Sequence, residues 1–438
     1  MKKYSRKDLI DLKSVAFCTL GCKVNQYETE AMRELFFEKG YREADFDDFA
    51  DVYVINTCTV TAMSDRKSRQ MIRRAKRINP DSFVIVCGCY AQVSPDTVSS
   101  IDGVDLVLGT KERGNIAKLA DDRIKSCLVS DISRTHNFEG LTVNNHQNKS
   151  RAYVKIQEGC NQFCSYCIIP YARGPIRSRP VNEIIEESNK LAKAGFTEII
   201  YVGIHVASYG LDTKETDLGG LLVMLNNIEG IKRIRLSSIE PMTLNEAFLE
   251  KIKDCDKLCP HFHLSLQSGC DETLKRMNRR YTTEEYYKIV EGLRKHFTDC
   301  AITTDIMVGF PGETDEEFEK TLEFTKKVAF SEAHIFKYSR RKGTPADKMP
   351  DQIPPEVKDI RSKKLFEVCE KSHNDFLNSH LGKPLEVLFE VCDKGMYEGK
   401  TQDYITVYAK YDSDITSTYR MVIGESVKDG CIFGKIID

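Results

Sequence analysis

The sequence predicts a mixed α/β protein with three parts: an open α/β sheet, a partial (β/α)6 barrel and a small all-β barrel. Two stretches in which strands alternate with helices, followed by short β patterns between Gly and Asp turns, indicate this fold class. The chain has 438 residues, enough for two or three domains, and its 41% hydrophobic content is ordinary for a globular protein. We expect domains at residues 1–140, 146–375 and 376–438.

The first part runs from Val15 to about Leu119. Apolar strands alternate there with helical segments, an order that is typical of an open α/β sheet. The predicted elements are residues 15–19, 28–39, 51–56, 64–78 and 83–87. A polar stretch over residues 130–150, rich in Asn, His, Ser and Gln, predicts a linker after this domain.

The second part repeats the alternation of strands and helices. Its predicted strands are residues 152–157, 198–203, 233–237, 261–266, 301–308 and 334–337, and its predicted helices are residues 181–194, 218–227, 283–296 and 315–328. About six such units indicate a partial barrel. We expect its active site at the C-terminal ends of the strands, where barrels of this kind carry their chemistry.

The third part follows a Pro-containing connection at residues 349–355 and a charged helix that ends near Leu381. Short β patterns at residues 385–390, 405–409 and 421–423 predict a small β-barrel. Residues 382–438 contain 7 Lys plus Arg against 10 Asp plus Glu, so this barrel is acidic.

Composition and charge indicate the cellular location of the protein and the partners it can have. The chain has 64 Lys plus Arg against 66 Asp plus Glu, a net charge of −2 that neither requires nor excludes a nucleic-acid partner. No apolar run approaches the roughly 18 residues that indicate a membrane span. The residues after Met1 are charged and polar and lack the apolar stretch of a secretory signal. We therefore expect a cytoplasmic protein without a membrane partner.

The 16 cysteines are unusual for a cytoplasmic chain, because thiols there stay reduced and a disulfide framework is not needed. Some of them should be metal ligands. We interpret the scattered ones without a shared motif as small buried hydrophobic residues. These are Cys127, Cys255, Cys300, Cys369, Cys392 and Cys431.

Cys160, Cys164 and Cys167 follow a predicted strand and place three thiols within eight residues. One loop with this spacing can hold a cubane iron–sulfur cluster, and three ligands leave one of its irons open. An open iron can bind the amino and carboxylate groups of S-adenosylmethionine (SAM) and deliver the electron that cleaves it to a 5′-deoxyadenosyl radical. Zinc is the main alternative, but no fourth Cys or His lies nearby in the sequence.

The string EGCNQFCSYCIIPYARGPIRSR at residues 158–179 resembles the core motif of the radical SAM methylthiotransferases. The resemblance extends over nearly the whole chain. Further matching segments are TLGCKVNQYETE, NTCTVT, GCYAQ, RLSSIEP, HLSLQSGCDETLKRMNRRY and DIMVGFPGET. The architecture of that family implies a methylthiotransferase N-terminal domain, a partial radical SAM barrel and a C-terminal β-barrel called TRAM.

The resemblance also implies that Cys22, Cys58 and Cys89 hold a second 4Fe–4S cluster. Without it, buried structural thiols remain an equally good interpretation, because the three are far apart in the sequence. Cys18 and Cys87 are offset from the family motif, and we interpret them as strand residues. A second cluster would supply the sulfur that a radical generator alone cannot insert.

Tyr166, inside the cysteine loop, resembles the aromatic residue that packs near the adenine of SAM in the family. Gly203 ends a predicted strand and lets backbone approach the methionyl amine of SAM, and Ser238, Glu240 and Gln267 follow later strands and are candidates to bind its ribose or methionine groups. A capping or turn role is the alternative for the polar ones. In the implied mechanism, one SAM methylates a sulfur and another yields the radical that activates the substrate carbon. A one-electron donor such as flavodoxin or ferredoxin is required, and we expect a monomer.

The segment TLGCKVNQYETE resembles the family branch that methylthiolates carbon 2 of N6-threonylcarbamoyladenosine at position 37 of tRNA. Basic residues in one predicted helix and after the radical cysteines favour tRNA independently. They are Arg66, Lys67, Arg69, Arg73, Arg74, Lys76, Arg77, Arg173, Arg177 and Arg179. Two alternatives stay open. One is methylthiolation of a ribosomal-protein aspartate, favoured by the acidic C-terminal barrel, and the other is a non-catalytic iron–sulfur RNA-binding redox sensor.

Overall fold

The structure is a computed structural model and describes residues 13–143 and 150–437. These residues form two compact units. The first unit contains residues 13–143, 157–179 and 339–347, and the second contains residues 150–156, 180–338 and 348–437. The predicted domain boundaries at residues 140, 146 and 375 stay predictions. The N-terminal residues 1–12, on which the expected absence of a secretory signal depends, lie outside the described residues.

The first unit is built on a six-stranded sheet of order β2-β1-β3-β4-β5-β6, in which every neighbouring pair is parallel. Its strands are β1 (Ser14–Thr19), β2 (Arg42–Glu43), β3 (Val52–Thr57), β4 (Phe83–Gly88), β5 (Leu106–Leu108) and β6 (Ser126–Leu128). The central strands β3 and β4 are buried along their whole length, which explains their continuous apolar sequence. The predicted open α/β sheet is confirmed.

Helices cover both faces of this sheet. They are α1 (Lys23–Glu38), α2 (Ala62–Ile78), α3 (Cys89–Val93), α4 (Pro95–Ser99) and α5 (Ile116–Asp121). Met32 and Phe36 of α1 pack with α5 on one face, whereas Ile72 and Ala75 of α2 pack with α3 and α4 on the other. Helix α1 begins five residues before the predicted position, because its first turn carries buried polar residues such as Asn25 that hide the amphipathic pattern.

The part of the predicted linker at residues 130–150 that the structure describes packs onto the first unit, and its role as a linker stays a prediction. Leu141 and Val143 are buried, and the Tyr27 hydroxyl donates to the Leu141 carbonyl at 2.8 Å. A short 3-10 turn at Ile132–Arg134 precedes them. The segment therefore packs onto the first unit, because its few apolar side chains are enough to anchor a polar stretch. Residues 144–149 lie outside the described residues.

Two segments from later in the chain complete the first unit. In the earlier one, α6 (Ile169–Arg173) is followed by β8 (Arg177–Ser178), which pairs antiparallel with Gln157 and Glu158. In the later one, the Arg341 guanidinium donates to Asp65 at 2.5 Å and to Thr59, and the Ala346 amide donates to the Ser165 carbonyl at 2.8 Å.

The second unit contains the strands of a partial barrel. These are β7 (Arg151–Glu158, whose last two residues belong to the first unit), β9 (Glu198–Gly203), β10 (Arg233–Leu236), β11 (His261–His263), β12 (Ala301–Val308) and β13 (Glu332–Lys337). They form the runs β10-β9-β7 and β11-β12-β13, and single parallel bridges, Ile234 to Leu258 and Ile239 to Leu264, join the two runs. The predicted partial barrel of six strands is confirmed.

The helices of this unit are α7 (Val181–Lys193), α8 (Leu218–Asn226), α9 (Glu246–Ile252), α10 (Asp271–Arg276), α11 (Thr283–His296), α12 (Asp315–Val328) and α13 (Pro355–Asn378). Helices α11 and α12 occupy the predicted residues. Capping boxes at Thr282 with Glu285 and at Thr314 with Glu317 define where they begin. The short helices α9 and α10 were not predicted, since about two turns give little periodicity.

No helix in the described parts of the chain is long and apolar enough to cross a membrane.

Five strands close into the predicted C-terminal barrel, in the order β14-β15-β16-β18-β17. They are β14 (Pro384–Asp393), β15 (Met396–Lys400), β16 (Thr406–Lys410), β17 (Tyr419–Lys428) and β18 (Cys431–Ile436). Strands β15 and β18 were not predicted, because each contains a glycine. The packing requires those glycines: a Cβ at Gly399 would lie 2.5 Å from the Leu388 carbonyl oxygen, and one at Gly434 would lie 2.4 Å from that of Ile423.

A buried charge network joins the two barrels of the second unit. Glu198 of β9 is fully buried, and the Arg235 Nε donates to it at 3.0 Å. Arg233 and Arg151 lie within 4 Å of the same carboxylate and also bind Glu386 and Glu390 of the C-terminal barrel. Three arginines thus meet three glutamates. Two of the acidic residues that make the C-terminal barrel acidic are neutralised by the other barrel.

The pKa of Glu198 responds to two opposing effects. Burial alone would raise this pKa, but Arg235, Arg151 and Arg233 outweigh burial and lower the pKa below its ordinary 4.5. The resulting stabilisation is fully present above pH 4.5 and is lost as the pH falls toward the lowered pKa.

We predict that Glu198→Gln destabilises the protein by about 3–5 kcal/mol, because three arginines then lose a buried anionic partner. Thermal unfolding at neutral pH measures the loss, with Glu425→Gln, at an exposed position, as the control. The wild-type protein should also lose stability on acidification below pH 4.5 more steeply than the variant. Equal melting temperatures for the two variants would contradict the role assigned to Glu198.

Candidate functional site

Cys22, Cys58 and Cys89 each follow a strand of the first sheet. Cys22 precedes α1 after β1, Cys58 comes directly after β3, and Cys89 opens α3 after β4. Because these strands are adjacent and parallel, their carboxyl ends meet at one edge of the sheet. Burial raises the pKa of the Cys58 thiol to about 11, and the neighbouring thiols of Cys89 and Cys22 contribute to the rise. The structure therefore brings the three predicted ligands together.

Glycines before two of these cysteines allow the close approach. Gly21 has φ +108°, and a Cβ there would lie 3.0 Å from the Cys58 Sγ. Gly88 has φ +93°, and a Cβ there would lie 2.5 Å from the Asn56 Oδ1. Both positions lie in the left-handed region that favours glycine. The two Gly-Cys pairs are thus a geometric requirement of the site.

The donor set fits an iron–sulfur cluster. Cys58 and Cys89 are buried, and burial also raises the pKa of the Cys22 thiol although that residue as a whole is exposed. A single zinc ion with Zn–S bonds of about 2.3 Å needs thiol sulfurs roughly 3.8 Å apart. Among the described residues, only the carboxylates of Glu28, Glu139 and Glu158 form a group of three ligand atoms within 4.8 Å of one another. Three cysteine thiols are a ligand set that iron–sulfur clusters use.

Those three carboxylates are ion-pair partners. Arg113 pairs with Glu28 and Glu139, Arg173 pairs with Glu28, and Arg177 donates to Glu158 at 2.8 Å. Three guanidinium groups balance three carboxylates, which leaves no charge for a metal ion. We interpret this group as the structural support of the sheet edge.

The cations predicted to contact tRNA after the radical cysteines are buried. Arg173, Arg177 and Arg179 are each at most 2% exposed. Arg173 and Arg177 are held by the carboxylates described above, and the Arg179 guanidinium lies over the Phe138 ring. A surface role in RNA binding was therefore the wrong interpretation for these three residues, because sequence density does not reveal which cations are internal.

The loop of Cys160, Cys164 and Cys167 is held at both ends. The Cys160 amide donates to the Gly174 carbonyl at 3.0 Å, and the Cys167 amide donates to the Cys164 carbonyl at 2.9 Å. Gly159 has φ +71°, and a Cβ there would lie 1.8 Å from the Pro175 carbonyl oxygen. Cys164 is buried, while Cys160 and Cys167 are half-buried. A fixed loop with partly accessible thiols suits a cluster that must meet a ligand.

Phe163 stands out in this loop. Its φ of +48° is unusual for a residue with a side chain, and the ring is 51% exposed. It contacts the exposed Tyr171 ring edge-on, with ring centroids 6.0 Å apart. The strained backbone lets the chain turn between Cys160 and Cys164.

The predicted SAM contacts divide between the units. Tyr166 is half-buried in the cysteine loop of the first unit. Gly203 ends β9 of the second unit, and Ser238, Glu240 and Gln267 follow β10 and β11. These four residues share the carboxyl end of neighbouring strands, where a barrel binds its substrates.

Glu240 and Gln267 are fixed in place. The Arg279 Nη2 donates to Glu240 at 2.8 Å. Burial would raise the pKa of Glu240, but His205 and Arg279 outweigh burial and lower it, so the group is a carboxylate at neutral pH. Gln267 has φ +67°, and its backbone amide donates to the Asp305 carbonyl at 2.8 Å.

Ser237 is a candidate that the sequence did not single out. Its hydroxyl is buried and has no hydrogen-bond partner within the described residues, whereas the predicted Ser238 is exposed. A buried hydroxyl without a partner is costly unless a ligand satisfies it. The strand pattern could have identified it, since Ser237 continues the register of β10.

The basic helix α2 keeps part of its predicted surface charge. Arg74 pairs with Asp47, Lys76 pairs with Asp105, and Arg69 donates to the Tyr90 hydroxyl. Its other cations are exposed, and they are Arg66, Lys67, Arg73 and Arg77. An open groove of about 510 Å³ is lined by Arg73, Lys76 and Arg77 together with α4 and the residues after it. This surface can attract phosphate groups.

The remaining cysteines divide by burial. Cys18 and Cys87 lie in β1 and β4, as expected for strand residues. Of the scattered ones, Cys255, Cys300 and Cys369 are buried as predicted. The prediction is wrong for the others: Cys127 and Cys392 are exposed and Cys431 is half-buried, because they lie on edge or surface positions of short strands.

Comparison with known proteins identifies the family. Residues 154–325 match the family described as Radical SAM superfamily, and residues 14–109 match Uncharacterized protein family UPF0004. The threonylcarbamoyladenosine tRNA methylthiotransferase of Bacillus subtilis (strain 168) is 44% identical over 92% of this chain and 91% of that one. The enzyme of the same name from Aquifex aeolicus (strain VF5) is 39% identical over 93% of this chain and 100% of that one.

A relative with a different printed substrate is also similar. The tRNA-2-methylthio-N(6)-dimethylallyladenosine synthase of Acetivibrio thermocellus is 35% identical over 99% of this chain and 93% of that one. Among solved structures, the radical SAM methyltransferase TsrM of Kitasatospora setae matches with a TM-score of 0.57, 15% identity and 77% coverage of both chains, a likeness of fold. The chain therefore belongs to the radical SAM methylthiotransferase family, which confirms the predicted enzyme class and its cofactors, 4Fe–4S clusters and SAM.

Proposed function

We propose that this enzyme transfers a methylthio group to carbon 2 of N6-threonylcarbamoyladenosine at position 37 of tRNA. The observation that carries the proposal is the presence of two separate sets of three cysteines in one compact unit. The names of the Bacillus subtilis and Aquifex aeolicus relatives support the choice of nucleoside. The reaction would take place in the cytoplasm. The enzyme would act as a monomer and receive its electron from flavodoxin or ferredoxin.

The two cysteine sets have different roles in the proposal. Cys160, Cys164 and Cys167 hold the cluster that binds SAM, and Cys22, Cys58 and Cys89 hold the second cluster. When bound, these groups and SAM supply the radical and the sulfur that methylthio transfer needs. The protein's own part is to fix the thiols, and the burial of Cys58, Cys89 and Cys164 keeps water from them.

Residues at the carboxyl end of the barrel would orient SAM. The Glu240 carboxylate, held by Arg279, is placed to accept hydrogen bonds from hydroxyl or amino groups of a ligand. Ser237 offers a buried hydroxyl, and Gly203 offers backbone without a side chain. Tyr166, Ser238 and Gln267 complete the proposed set.

A tRNA substrate is favoured over a ribosomal protein. The acidic C-terminal barrel had favoured the ribosomal protein, but Glu386 and Glu390 are paired with Arg233 and Arg151, and Asp403 is paired with His380. The exposed cations of α2 supply a surface for a polyanion. The chain belongs to an enzyme family and has two cysteine sets, and both observations favour an enzyme over a non-catalytic redox sensor.

We predict that Cys164→Ala and Cys58→Ala separate the two sites. Each variant should lose about half of the bound iron, since each removes a ligand from one of two similar clusters. Cys164→Ala should abolish 5′-deoxyadenosine formation, whereas Cys58→Ala should retain it and lose only methylthiolation. Iron analysis and product chromatography measure both effects. Cys300→Ala, a buried thiol outside both sets, is the control, and reductive SAM cleavage by Cys164→Ala would refute the assignment.

Nucleoside analysis of tRNA from a deletion strain tests the substrate. We expect loss of the methylthio group from threonylcarbamoyladenosine, while the methylthio derivative of dimethylallyladenosine persists. Mass spectrometry of digested tRNA distinguishes the two. Loss of the dimethylallyl derivative instead would assign the enzyme to the other substrate named among its relatives. Unchanged tRNA together with an unmodified ribosomal-protein aspartate would exclude tRNA as the substrate.

The double variant Arg73→Ala/Arg77→Ala should weaken tRNA binding. Loss of phosphate contacts should also reduce the slope of log K against log salt by roughly one unit per contact. Binding titrations at several salt concentrations measure both quantities. The matched control is Lys295→Ala/Lys326→Ala, which removes the same charge from exposed positions of α11 and α12. Equal losses in the two double variants would show that only overall charge matters.

A further inference from the structure

Arg173 contacts the second cysteine set, which consists of Cys22, Cys58 and Cys89. It belongs, however, to the sequence motif of the first set, which consists of Cys160, Cys164 and Cys167. It is the last residue of α6 and is 1% exposed. Its Nε donates to the Cys89 Sγ at 3.2 Å. A buried guanidinium pointing at a thiol sulfur is a charge-assisted donor, and such hydrogen bonds are stronger than neutral ones.

The orientation of this guanidinium is fixed by two further partners. Its Nη2 donates to the Asn25 Oδ1 at 2.6 Å and to the Glu28 Oε2 at 2.9 Å. Asn25 and Glu28 lie on α1, directly after Cys22. The Nη1 also donates to Glu28, so all three nitrogens of the guanidinium are engaged and hold the side chain against Cys89.

The carboxylate that pairs with Arg173 is Glu28. Glu28 is shared with Arg113, a second fully buried guanidinium. The Cys89 thiolate, once it ligates iron, is therefore the second anionic partner of Arg173. Hydrogen bonds and positive charge at cluster sulfurs stabilise the more negative, reduced state, and so raise the reduction potential.

The same segment also holds the first cysteine set. The carbonyl of Gly174, the residue after Arg173, accepts the hydrogen bond of the Cys160 amide at 3.0 Å. The Thr110 hydroxyl donates to the Ala172 carbonyl at 3.0 Å and ties the segment to the sheet. Side chain and backbone of neighbouring residues thus bind one cysteine of each set.

We propose that Arg173 is a positioning residue that raises the reduction potential of the second cluster through its bond to Cys89 and holds the two cysteine sets at a constant separation. This inference rests on the proposed assignment of Cys22, Cys58 and Cys89 to that cluster. It explains why an arginine is buried beside the radical loop, where a cation without a function would only cost desolvation.

The test uses the full chain in a Cys160→Ala/Cys164→Ala/Cys167→Ala background, in which only the second cluster can form. An EPR-monitored redox titration measures its midpoint potential with and without Arg173→Gln. We expect the potential to fall, with reduction less favourable by about tenfold, which corresponds to about 59 mV for one electron. Arg113→Gln is the matched control, because it removes an equally buried guanidinium from Glu28 without touching Cys89.

A second variant covers the case in which Arg173→Gln fails to fold. Arg173→Gln/Glu28→Gln removes both charges of the ion pair, and Arg113 keeps Glu139 as its partner. The potential should fall in this variant as well, while Arg173→Lys should restore part of it. A potential unchanged in every Arg173 variant that folds would overturn the inference and leave the cluster assignment intact. A background that binds no iron would overturn both.

Discussion

A buried guanidinium must meet an anion, and this requirement organises both units of the chain. In the first unit, Glu28 is shared by Arg113 and Arg173, and it ties α1 to the segment that follows the radical cysteines. In the second, Glu198 pairs with Arg151, Arg233 and Arg235. Arg151 and Arg233 also pair with Glu390 and Glu386 and so tie the partial barrel to the C-terminal barrel. Apolar packing builds each sheet, but these pairs decide which segments come together.

The first network has a direct consequence for the chemistry. Parallel strands bring Cys22, Cys58 and Cys89 to one sheet edge, and the charge network delivers the radical-loop segment to the same edge. Here the same short stretch of chain contacts Cys89 with a side chain and Cys160 with a carbonyl. Neighbouring residues of the fold thus contact both cysteine sets.

The second network changes how the C-terminal barrel should be understood. Its sequence is acidic, yet Glu386 and Glu390 form ion pairs with arginines of the partial barrel. Tyr404 and Tyr419 add to the same contact, since the Arg235 and Arg233 guanidinium groups lie over their rings at 4.8 and 4.7 Å. Part of the acidity is therefore neutralised by arginines of the same unit, and the net charge of a domain does not describe the charge that a partner meets.

The amino-acid sequence alone predicts the open α/β sheet, the partial barrel, the small β-barrel and the positions of α11 and α12, and it shows the spacing of Cys160, Cys164 and Cys167. These features depend on local patterns: periodicity, capping boxes, and ligands within one loop. Other features depend on tertiary contacts. Whether Leu141 anchors a polar segment, whether Gly399 belongs to a strand and whether Arg173 is buried are set by contacts between residues far apart in the chain. Local sequence carries no signal for such contacts, so the cations after the radical cysteines looked like an RNA surface. They are buried instead, and Arg173 contacts Cys89.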